Sequence, residues 1–155
     1  MADQTIIDQL IATVRELNMD IRGRDFGGDV SADDLTGHTD SIPALLYSMR
    51  AREMNASQAV KRMLLGEAAT SDDEVVVLSE QQLQAGTSPR ILLSQFGTAR
   101  EAILSQVREL PDEVWNQTFS TPRGEMSLKA YLQTLVDRDA ERVQQIKALL
   151  GKVSV

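Results

Sequence analysis

The sequence predicts an all-α protein, a four-helix bundle with long crossover connections. Four segments of roughly twenty residues repeat apolar residues at helical spacing, and no convincing run alternates apolar and polar residues as a strand does. A chain of 155 residues is long enough for one core of four helices and short for two independent cores. We therefore expect a single domain over residues 1–155.

Helix one is predicted from about Asp3, a suitable cap, to about Ile21. Its apolar positions are Ile6, Ile7, Leu10, Ile11, Val14, Leu17 and Ile21. The next segment, Arg22–Thr39, contains four glycines and several aspartates, which indicates a long connection with one short capped turn at Ser31–Asp34. A connection of this length suggests a crossover.

Helix two is predicted from Ser41, its cap, to about Leu65, with Pro43 in the first turn, where a missing amide hydrogen costs nothing. Its apolar face consists of Ile42, Leu45, Leu46, Met49, Ala56, Val60, Met63 and Leu64. One residue on that face is an acid, Glu53.

The segment between helices two and three is interpreted as a helical connection over residues 67–86. Ser71 and Glu74 have the spacing of a capping box, although the β-branched Val75–Val77 favour extended chain. Helix three is predicted from Ser88-Pro89 to about Leu110. Its apolar face is Leu92, Leu93, Phe96, Ala99, Ile103, Val107 and Leu110, with Arg100 beside it.

The last third of the chain is predicted to hold one helical turn at Pro111–Trp115, a loop at Thr118–Gly124 and then helix four. Ser127 is the expected cap of this helix, with Met126 placed to pack on Tyr131. Its apolar stripe is Leu128, Leu132, Leu135, Val143, Ile146 and Leu150, and at its centre lies the acid Asp139.

Three of the four helices therefore bring charge to an apolar face, and these groups can meet inside the bundle. They are Glu53 on helix two, Arg100 on helix three, and Asp139 with its neighbours Arg138 and Arg142 on helix four. One interpretation is a buried ion-pair network that fixes helix register. Another is a polar pocket for a small polar or anionic ligand, and a third is that the side chains reach solvent past the edge of the face.

Composition excludes several classes of function. Sixteen basic against twenty-three acidic residues give a formal charge of −7, the wrong sign for a protein that binds nucleic-acid phosphates. The chain has no cysteine, which excludes disulfides and thiolate chemistry and fits a reducing cytoplasm. It has neither a signal-like amino terminus nor an apolar run that could span a membrane, so we expect a soluble, intracellular protein.

The carboxy-terminal half contains four segments that resemble the DinB-like superfamily of bacterial four-helix bundles, which includes YfiT-type metal-dependent hydrolases and bacillithiol transferases. The residues that carry the resemblance are Phe96-Gly97-Thr98-Ala99-Arg100 with Ile103 and Leu104, Leu110-Pro111-Asp112-Glu113-Val114-Trp115, Pro122-Arg123-Gly124-Glu125-Met126-Ser127-Leu128, and Asp137-Arg138-Asp139-Ala140-Glu141-Arg142-Val143-Gln144-Gln145-Ile146. The resemblance covers most of the chain and is specific from about Phe96 onward.

The resemblance implies a nickel or zinc site whose three histidines are replaced here. The two ligands from the last helix fall at Arg138 and Arg142, and the third, from helix two, falls at Ser48, or at Met49 with a shift of one residue. Arginine is protonated and offers no lone pair to a metal ion. We therefore expect no metal cofactor, and the same arginines disfavour magnesium binding by Glu53 and Asp139.

Other candidate residues have simpler interpretations. His38, the only histidine, lies in the predicted loop before helix two, where we expect it to be solvated. Trp115, Tyr131 and Phe119 are expected to be packing residues rather than a ring at the mouth of a pocket. The chain has no phosphate loop, no nucleophilic-serine turn and no pair of histidines at metal spacing.

Two hypotheses follow for the function. The first is a DinB-like bundle without metal, a non-enzymatic binding or structural protein, with a pocket bounded by Glu53, Arg100, Arg138, Asp139 and Arg142. The second is a metal-dependent hydrolase or thiol transferase of the DinB or YfiT type that uses other ligands. Family members often form dimers, and this sequence neither supports nor excludes a homodimer.

Overall fold

A computed structural model describes residues 4–21, 42–69 and 89–153 of the chain. Within these ranges the elements are α1 (Gln4–Ile21), α2 (Ile42–Leu64), α3 (Pro89–Val107), α4 (Asp112–Trp115), β1 (Thr118–Thr121), β2 (Gly124–Ser127) and α5 (Leu128–Val153). The predicted helical class is confirmed, with one small pair of strands added. None of the described helices is both long and apolar enough to cross a membrane.

The four long helices pack in a ring in which α3 and α5 each contact both α1 and α2. Helices α2 and α3 are parallel, because Glu53 contacts Arg100 and, further along both helices, the Ser57 carbonyl accepts a hydrogen bond from Gln106. The end of α2 and the start of α3 therefore lie at opposite ends of the ring.

Helices α1 and α5 are also parallel, because Thr13 contacts Asp139 and Glu16, one turn later, contacts Lys147. Helix α1 runs against α3, since Leu10 lies beside Arg100 whereas Val14 lies beside the earlier Gly97. One parallel pair therefore runs against the other.

The core has two apolar clusters, one on each side of a set of buried charged groups. One cluster contains Ile6, Ile7, Leu10, Ala56, Ala59, Val60, Met63, Ala69, Ile103, Leu104, Val107, Trp115, Phe119, Leu128, Tyr131, Leu132 and Leu135. The other contains Leu17, Ile21, Leu45, Leu46, Tyr47, Met49, Leu92, Leu93, Phe96, Val143 and Ile146. The burial of Trp115, Phe119 and Tyr131 confirms that these aromatic residues pack in the core.

The predicted loop at Thr118–Gly124 is wrong, because β1 and β2 form an antiparallel hairpin there. Phe119 pairs with Met126, and the Phe119 side chain is buried in the core. The positive φ of Gly124, +102°, is a conformation that favours glycine after the turn. The Ala69 amide, just after α2, donates to the Ser120 carbonyl at 2.9 Å and ties that segment to β1.

The predicted helix boundaries agree closely, with one exception. Helix α3 ends at Val107 rather than at Leu110, and the turn predicted near Trp115 is α4. Ser127 caps α5, since its Oγ accepts the Ala130 amide at 3.0 Å. Residues 67–69 are not helical, and the rest of the connection predicted over residues 67–86 lies outside the described residues. The predicted turn at Ser31–Asp34, the capping box at Ser71–Glu74 and His38 also lie outside them.

Candidate functional site

A layer of buried polar and charged side chains crosses the ring between the two apolar clusters. This charged layer consists of Thr13 from α1, Arg52 and Glu53 from α2, Arg100 from α3 and Asp139 from α5. The exposed fraction is 0% for Glu53 and Arg100, 1% for Arg52, 2% for Asp139 and 7% for Thr13. All four long helices thus contribute to one interior set of contacts.

Arg100 is the centre of the charged layer, and its guanidinium contacts both carboxylates. Its Nε donates to Glu53 Oε2, and its Nη2 donates to Glu53 Oε1 at 3.0 Å. Toward α5, Nη1 donates to Asp139 Oδ2 at 2.9 Å and Nη2 donates to Oδ1 at 3.0 Å. Each carboxylate therefore receives a pair of hydrogen bonds from the planar guanidinium, the strongest arrangement for these groups.

The fifth N–H of Arg100 is also satisfied. Nη1 donates a second hydrogen bond, to the main-chain carbonyl of Leu10 in α1, at 2.9 Å. An arginine side chain carries five N–H donors in a fixed planar geometry. All five have acceptors here, so Arg100 has no donor left for a ligand.

Asp139 receives further contacts from α1 and α2. The Thr13 hydroxyl lies 2.8 Å from Asp139 Oδ2, and it also lies 3.2 Å from the Gln9 carbonyl. Arg52 Nη2 lies 3.8 Å from Asp139 Oδ1, which is an ion-pair distance longer than a hydrogen bond. Asp139 thus meets groups from the three other long helices.

The charged layer is electrically balanced, because two arginines face two carboxylates. Burial by itself lowers the pKa of the Arg100 guanidinium, but the charges of Glu53 and Asp139 and the hydrogen bonds to them raise it more. The net pKa lies above the usual arginine value, so the group stays protonated. Its Cζ also lies 5.0 Å from the centre of the Phe96 ring, a favourable distance for a cation over an aromatic face.

Two surface depressions approach the layer from outside. One, of about 210 Å³, lies between α1 and α3 and is lined in part by Arg100, and the other, of about 280 Å³, lies between α1 and α5 and is lined in part by Asp139. Both side chains are nevertheless almost fully buried. The layer is thus sealed from solvent in this conformation.

The structure brings together three of the five residues predicted to bound a pocket, namely Glu53, Arg100 and Asp139. Arg138 and Arg142 are only partly buried. Arg142 Nη1 donates to Gln145 Oε1 at 2.7 Å. Arg138 lines a surface depression of about 350 Å³ whose other lining residues are Arg123, Thr134, Asp137 and Glu141.

The sequence analysis did not predict two members of the layer, Arg52 and Thr13, although both lie at positions of an apolar stripe. Arg52 lies on the stripe of α2, three residues after Met49 and four before Ala56. Thr13 lies between Leu10 and Leu17 on the buried stripe of α1. A polar residue at such a position needs a buried partner, which for both of these residues is Asp139.

The three positions that the sequence resemblance aligns with metal ligands carry side chains that do not fit a transition metal. Ser48 is buried, at 4% exposed, and offers a hydroxyl, while Arg138 and Arg142 offer protonated guanidinium groups. Among residues 4–21, 42–69 and 89–153, no group of three or more histidine, cysteine, aspartate or glutamate side chains could hold a metal ion.

Comparisons with known proteins give no match. No family model matches the chain, and neither a curated protein nor a solved structure is similar to it.

Proposed function

We propose that this chain is a non-enzymatic, DinB-like four-helix bundle, a single cytoplasmic domain that lacks the metal-ligand histidines and whose helices are held in register by a structural charged layer. The observation that carries the proposal is the geometry of Arg100, whose five N–H groups are all bound to Glu53, Asp139 and the Leu10 carbonyl. Arg100 is thus fully engaged with the two interior acids and the Leu10 carbonyl, and it has no donor left for a substrate.

The geometry argues against ligand binding within the layer. An anion at Arg100 would have to displace Glu53 or Asp139, and the displaced carboxylate would remain buried without its cation. Leaving one charge of a buried pair uncompensated costs about 3 to 5 kcal/mol, which a small ligand would have to offset. A divalent cation would meet the two guanidinium groups of the layer, Arg52 and Arg100.

The role that remains for the layer is to fix how the helices align. Arg100 reaches acceptors on α1, α2 and α5, and a slide of any helix by one residue, about 1.5 Å, would break these hydrogen bonds. Buried polar groups are retained in some bundles because they select one register. We infer that the protein acts as a rigid frame that presents its outer faces to a small anionic or polar ligand, or to a second copy. The formal charge of the chain is −7, which disfavours binding to nucleic-acid phosphates, so we do not propose nucleic acid as a partner.

Metal loading tests the non-enzymatic proposal. The purified chain, treated with a chelator and then dialysed against nickel or zinc chloride, is expected to retain well under one equivalent and to show an unchanged melting temperature. A protein that binds metal in its native state must be stabilised by it. Retention of about one equivalent with a raised melting temperature would favour the metal-dependent hydrolase or thiol transferase instead.

Restoring the histidines tests the DinB-like alignment separately. The variant R138H/R142H places two imidazoles one turn apart on α5, and adding S48H supplies the third ligand that the resemblance implies. We expect the triple variant to bind nickel at least about tenfold more tightly than the double variant. The matched control adds S57H instead, further along α2. If Ser48→His adds no more affinity than Ser57→His, the alignment is wrong.

A further inference from the structure

A groove on the outer side of α2 and α3 is separate from the charged layer. It has a volume of about 500 Å³, within the range of small-molecule sites. Its described lining residues are Arg50, Met54, Asn55, Ser57, Gln58, Ser94, Gln95, Thr98, Ala99 and Ala102. The groove exists because α3 presents small side chains there, at Ser94, Thr98 and Ala102, one turn apart.

The groove has a direction. Because α2 and α3 are parallel, Arg50 and Ser94 lie at one end, and Gln58 and Ala102 lie at the other. Eight residues of helix separate Arg50 from Gln58, which makes the groove about 12 Å long. Between the ends, Met54 and Ala99 provide apolar walls, and the flexible thioether of Met54, 45% exposed, can adapt to an occupant.

The charge of the groove is concentrated at one end. Among the described lining residues, only Arg50 is ionised at neutral pH. Its guanidinium lies 5.6 Å from the centre of the Tyr47 ring. In the described part of the chain, its buried Nε has no hydrogen-bond partner, which is unfavourable for the free protein. An oxyanion at this end would supply a charge-assisted acceptor.

We propose that this groove binds a small monocarboxylate with an unbranched apolar tail. The carboxylate pairs with Arg50, and the tail lies along Met54 and Ala99 toward Gln58, with amides and hydroxyls at the rim. Arg50 is the one cation among the described lining residues, and none of them is an acid. The groove therefore favours a ligand with a negative head group. The groove is about 12 Å long and has apolar walls, so it favours an apolar tail of about the length of an octyl chain.

Octanoate is the probe, and the readout is the amide spectrum of the ¹⁵N-labelled full chain by NMR. We expect saturable shifts confined to residues 50–58 and 94–102. Octylammonium, which has the same tail with the opposite charge, and acetate, which has the charge without the tail, are expected to bind at least about tenfold more weakly. Equal binding of octylammonium, or saturable shifts elsewhere on the surface, would overturn the proposal.

Two variants locate the site. Arg50→Gln removes the cation and is expected to weaken octanoate at least about tenfold, while Arg108→Gln, at an exposed arginine beyond α3, leaves binding unchanged. Thr98→Trp fills the groove and is expected to abolish binding, while Ala148→Trp, at an exposed position on α5, does not. Unchanged binding in both Arg50→Gln and Thr98→Trp would overturn the proposal. The proposal would also be overturned if sedimentation showed a concentration-dependent dimer that Thr98→Trp disrupts. A second copy of the chain would then occupy the groove.

Discussion

Arg100 and Asp139 are joined across the middle of the helix ring by two parallel hydrogen bonds, of 2.9 and 3.0 Å. The two residues lie on α3 and α5, which face each other diagonally and are both in contact with α1 and α2. The same guanidinium makes a second bidentate contact with Glu53 on α2. One side chain therefore links three helices directly, and its bond to the Leu10 carbonyl adds the fourth.

Removing Arg100 should strongly destabilise the fold. Arg100→Leu leaves Glu53 and Asp139 buried with Arg52 as the one remaining cation of the charged layer, and we expect the free energy of unfolding to fall by about 3 to 5 kcal/mol. Urea unfolding followed by circular dichroism measures this. Arg108→Leu, at an exposed arginine, is the matched control and should stay within about 0.5 kcal/mol of wild type. A loss under about 1 kcal/mol for Arg100→Leu would show that the pair is not buried.

Replacing the whole layer should be far less harmful than breaking it. The variant R52M/E53L/R100M/D139L removes all four charges of the layer, so none is left buried without a partner. Replacing a buried ion pair by apolar residues of similar volume is often neutral or stabilising by about 1 to 4 kcal/mol. We expect this variant to unfold at higher urea than Arg100→Leu but to show broadened NMR lines, because helix register is less well fixed. Sharp, uniform spectra would argue against the register function.

Thr13 is expected to stabilise the layer through its hydroxyl. Thr13→Val keeps the shape and removes the donor to Asp139, and hydrogen bonds to charged groups contribute about 1.5 to 3 kcal/mol. Thr98→Val is a suitable control, since that exposed hydroxyl bonds only to the Ser94 carbonyl of its own helix among the contacts described. Equal unfolding free energies for the two variants would indicate that the hydroxyl donates to the Gln9 carbonyl instead.

The exposed ion pair between Lys147 and Glu16 should respond to pH in a defined direction. A hydrogen bond and the charge of Glu16 raise the pKa of Lys147. A raised pKa means that the pair stabilises the fold fully below the unfolded lysine pKa, about 10.4. That contribution is lost as pH rises through the folded pKa. The stability difference between wild type and Lys147→Met should therefore shrink above about pH 10, and a difference that grows there would contradict the assignment.

The apolar pattern of the sequence predicted the long helices and indicated that Glu53, Arg100 and Asp139 can meet inside the bundle, because a charge on a buried stripe needs a partner there. The pattern did not show which arginine, besides Arg100, lies beside Asp139. Arg138 is adjacent to Asp139 in sequence, but one residue along a helix turns the side chain by about 100°. The cation beside Asp139 comes from Arg52 on another helix, and only helix packing places it there.

The hairpin was missed for a different reason. Its strands have four residues each, too few for a clear alternation, and the glycine and proline around the turn are typical of a loop. What fixes the strands is non-local, namely the burial of Phe119 in the core and the hydrogen bond from the Ala69 amide to Ser120.

A double-mutant cycle on Arg100 and Asp139 tests the central claim most directly. The unfolding free energies of wild type, R100M, D139L and R100M/D139L give the coupling between the two side chains, free of their separate packing effects. We expect a coupling of at least about 1.5 kcal/mol, with the double variant less damaged than the sum of the single variants predicts. A coupling under about 0.5 kcal/mol, the value found for independent sites, would contradict a structural ion-pair layer in this protein.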